Sequence, residues 1–161
     1  MLRIGVVSDT HGQVDFTRAA VAMLESCGVK QVIHCGDIDS VEVVSQFAAW
    51  PTHFVFGNCD DNREELRQAM VAGNHICHGR QGELRLEGRR IAFLHGDDTR
   101  LLGDLVSGGE YDLVCHGHTH VARHVVHGQT HVLNPGALYR AAFHSLALLD
   151  LPALEVTLIK L

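Results

Sequence analysis

The chain has 161 residues, 46% of them hydrophobic and 20% charged, with a formal charge of −6 and thirteen histidines. That is enough chain for one domain with a proper core, and the composition excludes a disordered segment. No apolar run approaches the ~20 residues of a membrane span, and no Lys/Arg block offers the clustered positive charge of a duplex-binding face, so neither membrane nor nucleic acid is expected as a partner.

The start, MLRIGVVSDTHG, has no basic stretch followed by a long apolar segment and a small-residue cleavage site, so a cytoplasmic location is expected. Leu2 to Val7 reads as a first strand. Phe16, Ala19, Ala20, Met23 and Leu24 then recur at helical spacing, which predicts a helix burying that face and stopping at Gly28. Val32 to His34 is a second strand, and Val43, Val44, Phe47 and Ala48 make a second helical stripe ended by Pro51. His53 to Phe56 reads as a third strand, and Leu66, Ala69 and Met70 mark a short third helix. Beyond them strands dominate: HICH, ELRLEGRRIAFLH, DLVCH, HVLN and the terminal SLALLDLPALEVTLIKL, a hairpin turning near Leu151 to Ala153. One more helix is expected from about Thr99 to Val106. An α/β start running without a break into a β-rich end predicts a single domain, residues 1–161, of two sheets packed together with helices outside.

The residues at the strand ends carry the chemistry. IGVV gives way to SDTHG, QVI to HCGD, HFVF to GNCD, IAFL to HGDD and DLVC to HGHTH. Ligands of open α/β sheets bind outside the carboxyl ends of the strands, and glycines allow the tight turns that project side chains there. If the five strands lie side by side, Asp9, His11, Asp37, Asn58, His95, His118 and His120 converge. This mixture of carboxylate, amide and imidazole donors suits manganese, iron, zinc or nickel better than magnesium or calcium. It is too many donors for one tetrahedral zinc and about right for two ions sharing a carboxylate, the usual device for hydrolysing phosphate esters. Each residue alone has a structural reading: Asp9 as a helix start, Asn58 as a turn, His95 as a hydrogen-bonded ring. Such a reading must explain seven coincidences in order.

SDTHG, Gly36–Asp37, Gly57–Asn58, His95–Gly96 and Gly117–His120, in this order over nearly the whole chain, resemble the signature of the calcineurin-like metallophosphoesterases. The short length is similar to the branch of small single-domain prokaryotic phosphodiesterases. The resemblance implies a four-layer α/β/β/α sandwich of two mixed β-sheets flanked by helices. It implies that Asp9, His11, Asp37 and His120 hold one divalent ion, manganese being favoured, and that Asp37, Asn58, His95 and His118 hold the other. His116 is then not a ligand, because the pattern puts glycine directly before the first ligand histidine. The reaction it implies is attack of a metal-bridging hydroxide on a small-molecule phosphate ester, most simply a diester, with Asn58 also touching substrate.

Many relatives carry a histidine after Gly-Asn that protonates the leaving group. In this chain Cys59 and Asp60 occupy those positions, weak candidates that leave the general acid open, and Cys59 is expected as a small buried filler. The five cysteines are odd in number and form no C-x-x-C pair, so reduced, mostly buried thiols are expected. Ala137 and Asp97 stand where relatives often carry Ser and His, which bears on specificity. His34, His53, His75, His78, His124, His127, His131 and His144 read as structural or solvated, and Arg140 as a surface arginine. Competing functions are a metal-binding scaffold like the retromer subunit of this fold, a phosphomonoesterase and a nuclease. The oligomeric state stays open, a homo-oligomer included.

Overall fold

The computed structural model describes residues 1–161. In chain order its elements are β1 (Leu2–Val7), α1 (Val14–Ser26), β2 (Gln31–His34), α2 (Val41–Gln46), β3 (Thr52–Phe54), α3 (Arg63–Ala72), β4 (Ile76–Cys77), β5 (Gln81–Leu86), β6 (Arg89–Leu94), α4 (Thr99–Ser107), β7 (Leu113–Cys115), β8 (Arg123–His127), β9 (Thr130–Asn134), β10 (Ser145–Leu151) and β11 (Glu155–Lys160). The strands form a six-stranded sheet, β11-β10-β1-β2-β3-β4, and a five-stranded sheet, β5-β6-β7-β9-β8. Both are mixed. β1 to β4 run parallel with β10 and β11 added antiparallel; β6, β7 and β9 run parallel with antiparallel β5 and β8 at the edges.

Successive strand side chains point to opposite faces, and this separates the layers. Ile4 and Val6 of β1, Ile33 of β2 and Ala147, Leu149 and Leu151 of β10 enter the core between the sheets, where they meet Ile91, Phe93, Leu113, Cys115 and Leu133. The intervening residues Val7, Val32, Leu146 and Leu148 face a second core with Ala20 and Leu24 of α1, Val43 and Val44 of α2, and Leu66 and Met70 of α3. A strand covered on both faces reads as an unbroken apolar run, which is why all of SLALLDL is buried. On the other outer face, Leu101, Leu102, Leu105 and Val106 of α4 cover Ala92, Leu94, Tyr111 and Val114. The order helices, sheet, sheet, helix is the expected four-layer sandwich.

Two expectations are corrected. The buried face of α1 is Thr17, Ala20 and Leu24, while Phe16 and Ala19 are exposed. Thr17 accepts an inward position because its hydroxyl donates to the Gln13 carbonyl at 2.8 Å, so its burial leaves no polar atom unpaired. β8 has no counterpart among the expected strands. Four of its five residues are exposed, so it carries no alternating apolar signal and exists as an edge strand paired to β9.

Candidate metal centre

Main-chain hydrogen bonds tie the loop after β1 to that after β2 and the loop after β6 to that after β7, while the carboxylates of Asp60, Asp37 and Asp9 bridge the loop after β3 and the two pairs. Asp9 N–H donates to Gly36 O at 3.0 Å, His11 N–H to Asp37 O at 3.0 Å, and Gly117 N–H to His95 O at 2.8 Å. Asp9, His11, Asp37, Asp39, His118 and His120 all have positive φ, between 44° and 68°. That region costs a residue with a Cβ about 1–3 kcal/mol and persists only where the surroundings over-determine it. Here the cross-linked loops hold it, and the bends at Asp9, His11, Asp37 and His120 turn a carboxylate or imidazole toward a common volume. Gly57 is required by close approach: a Cβ there would lie 2.6 Å from Asp37 N and 2.8 Å from Asp37 Cγ.

Within that volume Asp9 Oδ1 lies 3.1 Å from His120 Nε2 and 3.7 Å from His11 Nε2. Asp37 Oδ2 lies 3.1 Å from His95 Nε2 and 3.6 Å from His11 Nε2. His11 Nε2 and His120 Nε2 are 3.3 Å apart. A cation that bonds nitrogen and oxygen at about 2.0–2.2 Å holds adjacent donors roughly 3–3.5 Å apart, so these spacings suit ligands sharing an ion. The donors fall into overlapping groups, Asp9–His11–His120 and Asp9–Asp37–His95, with ligand atoms in each group within 4.8 Å of one another.

The remaining atom of each group is anchored outward. His95 Nδ1 donates to the Cys35 carbonyl at 2.8 Å and His120 Nδ1 to the Arg140 carbonyl at 3.0 Å. His11 Nδ1 faces Asp39 Oδ2 at 3.1 Å. An acceptor on Nδ1 selects the tautomer whose Nε2 lone pair points into the centre. Asp9 Oδ2 accepts from the Ser8 hydroxyl at 2.6 Å and the His118 N–H at 3.1 Å, and Asp37 Oδ1 from the Cys59 N–H at 2.9 Å. Asp9 Oδ1 and His95 Nε2 are left buried with no hydrogen-bond partner. Buried polar atoms are almost always paired, so two orphans within one set of converging donors fit a bound cation.

Electrostatics agree. Burial pushes the Asp37 carboxyl up, but the nearby His95 ring, the Cys59 N–H and His11 together outweigh it and bring Asp37 down to about 2. Asp9 also ends below the usual carboxylate value, its burial overcome by His11 and His95. His11 is raised, chiefly by Asp9, and His95 is raised against its burial by Asp37. The carboxylates are favoured in their ionised form, and any proton that Asp9 and Asp37 favour on His11 and His95 is one an arriving metal ion would displace.

The other expected residues lie at the rim. His118 is exposed, its ring 5.1 Å from that of His95. Asn58 is exposed, with Nδ2 3.7 Å from Cys59 Sγ. Cys59 is not the expected buried filler. It is exposed, and its sulfur lies with His11 and Asp37 within 4.8 Å. Burial of the sulfur, then Asp37, pushes this thiol up to about 11. Asp60, the other acid candidate, is fully buried, and its oxygens accept from the N–H groups of Gly57, Asp37, Ile38 and Asp39 at 2.8–3.0 Å. Asp97 is paired with Arg80 at 2.7 Å, and Ala137 is fully buried. His116 lines a separate cavity of about 350 Å³ with Val125 and Val132.

Sequence reasoning misses three supporting residues, Ser8, Thr10 and Asp39, whereas the fourth, His34, it reads as structural. His34 is fully buried, accepts from Gly36 N–H at Nδ1 and meets the Thr10 hydroxyl at 3.0 Å, so it ties the first two loops. Their signal is adjacency, since each sits inside SDTHG, HCGD or the adjoining DID.

The profile of the calcineurin-like phosphoesterase superfamily domain matches residues 2–153. A phosphodiesterase of Methanocaldococcus jannaschii is 27% identical over 160 residues, covering 92% of this chain and 93% of that protein. A solved structure of an archaeal phosphodiesterase superposes with a TM-score of 0.93 at 28% identity, over 99% of this chain and 100% of that one. Vps29 of Chaetomium thermophilum, 16% identical, shares the fold with a TM-score of 0.74 over 100% of this chain and 97% of its own.

Proposed function

The chain belongs to the calcineurin-like phosphoesterase superfamily, and we propose on that footing that it is a phosphodiesterase working through two divalent ions, with manganese favoured and iron, zinc or nickel alternatives. Asp9, His11, Asp37 and His120 would hold one ion; Asp37, Asn58, His95 and His118 the other. The observation that carries this reading is the pair of orphaned atoms, Asp9 Oδ1 and His95 Nε2, among rings whose outer nitrogens are already engaged. When bound, such a pair of ions lowers the pKa of water and offsets charge on phosphoryl oxygens.

The protein's own share is orientation and charge. Ionised Asp9 and Asp37 would offset part of the cations' charge, and Asp39 and the carbonyls of Cys35 and Arg140 hold the rings in the ligating tautomer. The exposed Asn58 amide stands at the mouth, where its N–H can reach a phosphoryl oxygen. Asp60 is saturated by main-chain donors, which leaves the exposed Cys59 thiol beside Asp37, a weak acid at about 11, as the remaining candidate to protonate the leaving oxygen. The reading therefore favours esters with good leaving groups, because a positioned acid supplies ~10²–10⁴-fold. No helix is long and apolar enough to cross a membrane, and the five free thiols suit a reducing, cytoplasmic setting.

The test is turnover of bis-(4-nitrophenyl) against mono-(4-nitrophenyl) phosphate with added manganese, for wild type and Asp37→Asn. The diester should be cleaved and Asp37→Asn should be inactive while folded. Cleavage of the monoester alone removes the diesterase assignment, no cleavage of either favours a scaffold, and an active Asp37→Asn removes the shared-ligand role.

A further inference from the structure

A cavity of about 400 Å³ opens beside the metal centre, walled by His120 and lined by Val121, Ala122, Phe143, Leu158 and Lys160 among others. His120 belongs to both compartments, because its Nε2 lies 3.1 Å from Asp9 Oδ1 while the residue lines the cavity. Val121, Phe143 and Leu158 are 61%, 60% and 41% exposed. Apolar side chains left in water are unremarkable when scattered, but gathered in one concavity they mark a binding surface. The Lys160 ammonium, also part of the lining, lies 3.4 Å from the Phe143 ring centroid, which gives the cavity one cation.

We infer that this cavity seats one ester arm of the substrate and selects a flat apolar arm, aryl or heteroaryl, over a small alkyl one. The inference rests on the phosphodiesterase reading and specifies its substrate class. Three observations support it. An apolar space of roughly 150 Å³ already holds a benzene ring, so this cavity takes a larger ring system. Its wall is shared with a proposed metal ligand, so a phosphoryl group at the ions has its substituent at the cavity's edge. Lastly, the reading assigns no strong acid to the leaving oxygen, and aryl oxides leave without one.

The experiment uses diphenylphosphinate and dimethylphosphinate, diester mimics whose P–C bonds resist hydrolysis. Their binding to manganese-loaded protein is measured by calorimetry. Wild type should bind the diphenyl compound at least tenfold more tightly. Phe143→Ala and Leu158→Asp, both at exposed positions, should shrink that ratio below threefold with melting temperature and metal content unchanged. Equal binding by wild type, no binding of either compound, or an unaltered ratio in both variants overturns the inference. Hydrolysis of bis-(4-nitrophenyl) phosphate is followed in parallel. If it is absent while the phosphinates are still discriminated, the phosphodiesterase reading fails and the cavity remains an aryl site.

Discussion

Gly57→Ala tests how tightly the centre is built. The added Cβ would lie 2.6 Å from Asp37 N and 2.8 Å from Asp37 Cγ, whereas non-bonded heavy atoms settle about 3.5 Å apart. One loop must therefore retreat by roughly 0.7–0.9 Å, and the first distance is to main chain, so no rotamer change relieves it. Ligand distances in a metal site tolerate only about ±0.2 Å. Asp37 also bonds the Cys59 N–H at 2.9 Å, and that bond stretches with the same shift. Since Asp37 serves both ions in this account, the expected loss is at least ~100-fold in manganese affinity, about 3 kcal/mol. Calorimetric titration is the assay, with a thermal melt confirming the fold. Gly103→Ala is the control, because a Cβ there meets nothing within 4 Å. Wild-type affinity in a folded Gly57→Ala would show that Asp37 does not need its present position.

Asp39→Ala removes the acceptor facing His11 Nδ1 and should weaken metal binding ~10–100-fold without unfolding the protein, as the same titration would show. His34 should make stability depend on pH. Burial lowers its pKa from 6.5 to about 3, so below pH 6.5 the unfolded chain takes a proton that the folded chain refuses. Its contribution is present above pH 6.5 and is lost on acidification toward 3 by at most about 1.4 kcal/mol per pH unit. Denaturant titrations between pH 6 and pH 4 should show a shallower slope for His34→Gln than for wild type; identical slopes would mean His34 is not held neutral. Phe93→Ala empties part of the layer between the sheets and should cost about 3–5 kcal/mol in the same denaturant assay.

The strand ends are legible because apolar runs give way to Gly with Asp, Asn or His, two signals that reinforce each other. The four layers are legible from strands such as β10, whose continuous apolar run demands cover on both faces. Direction, rather than residue type, is where the pattern fails. Asp60 and Cys59 are neighbours in GNCD, yet one turns inward to four N–H groups and the other outward beside Asp37, and no periodicity in a loop distinguishes them. The face of α1 slips for a related reason. Thr17 counts as polar in a pattern, while its bond to Gln13 lets it enter the core. β8 is invisible because an exposed edge strand needs no apolar alternation.

The most direct measurement of the central claim is the number of ions held per chain. Purified protein saturated with manganese, freed of excess and analysed elementally should carry two, and Asp37→Asn should retain neither tightly. Wild type carrying one ion per chain or fewer at saturation, or Asp37→Asn still carrying two, would contradict a paired centre built around Asp37.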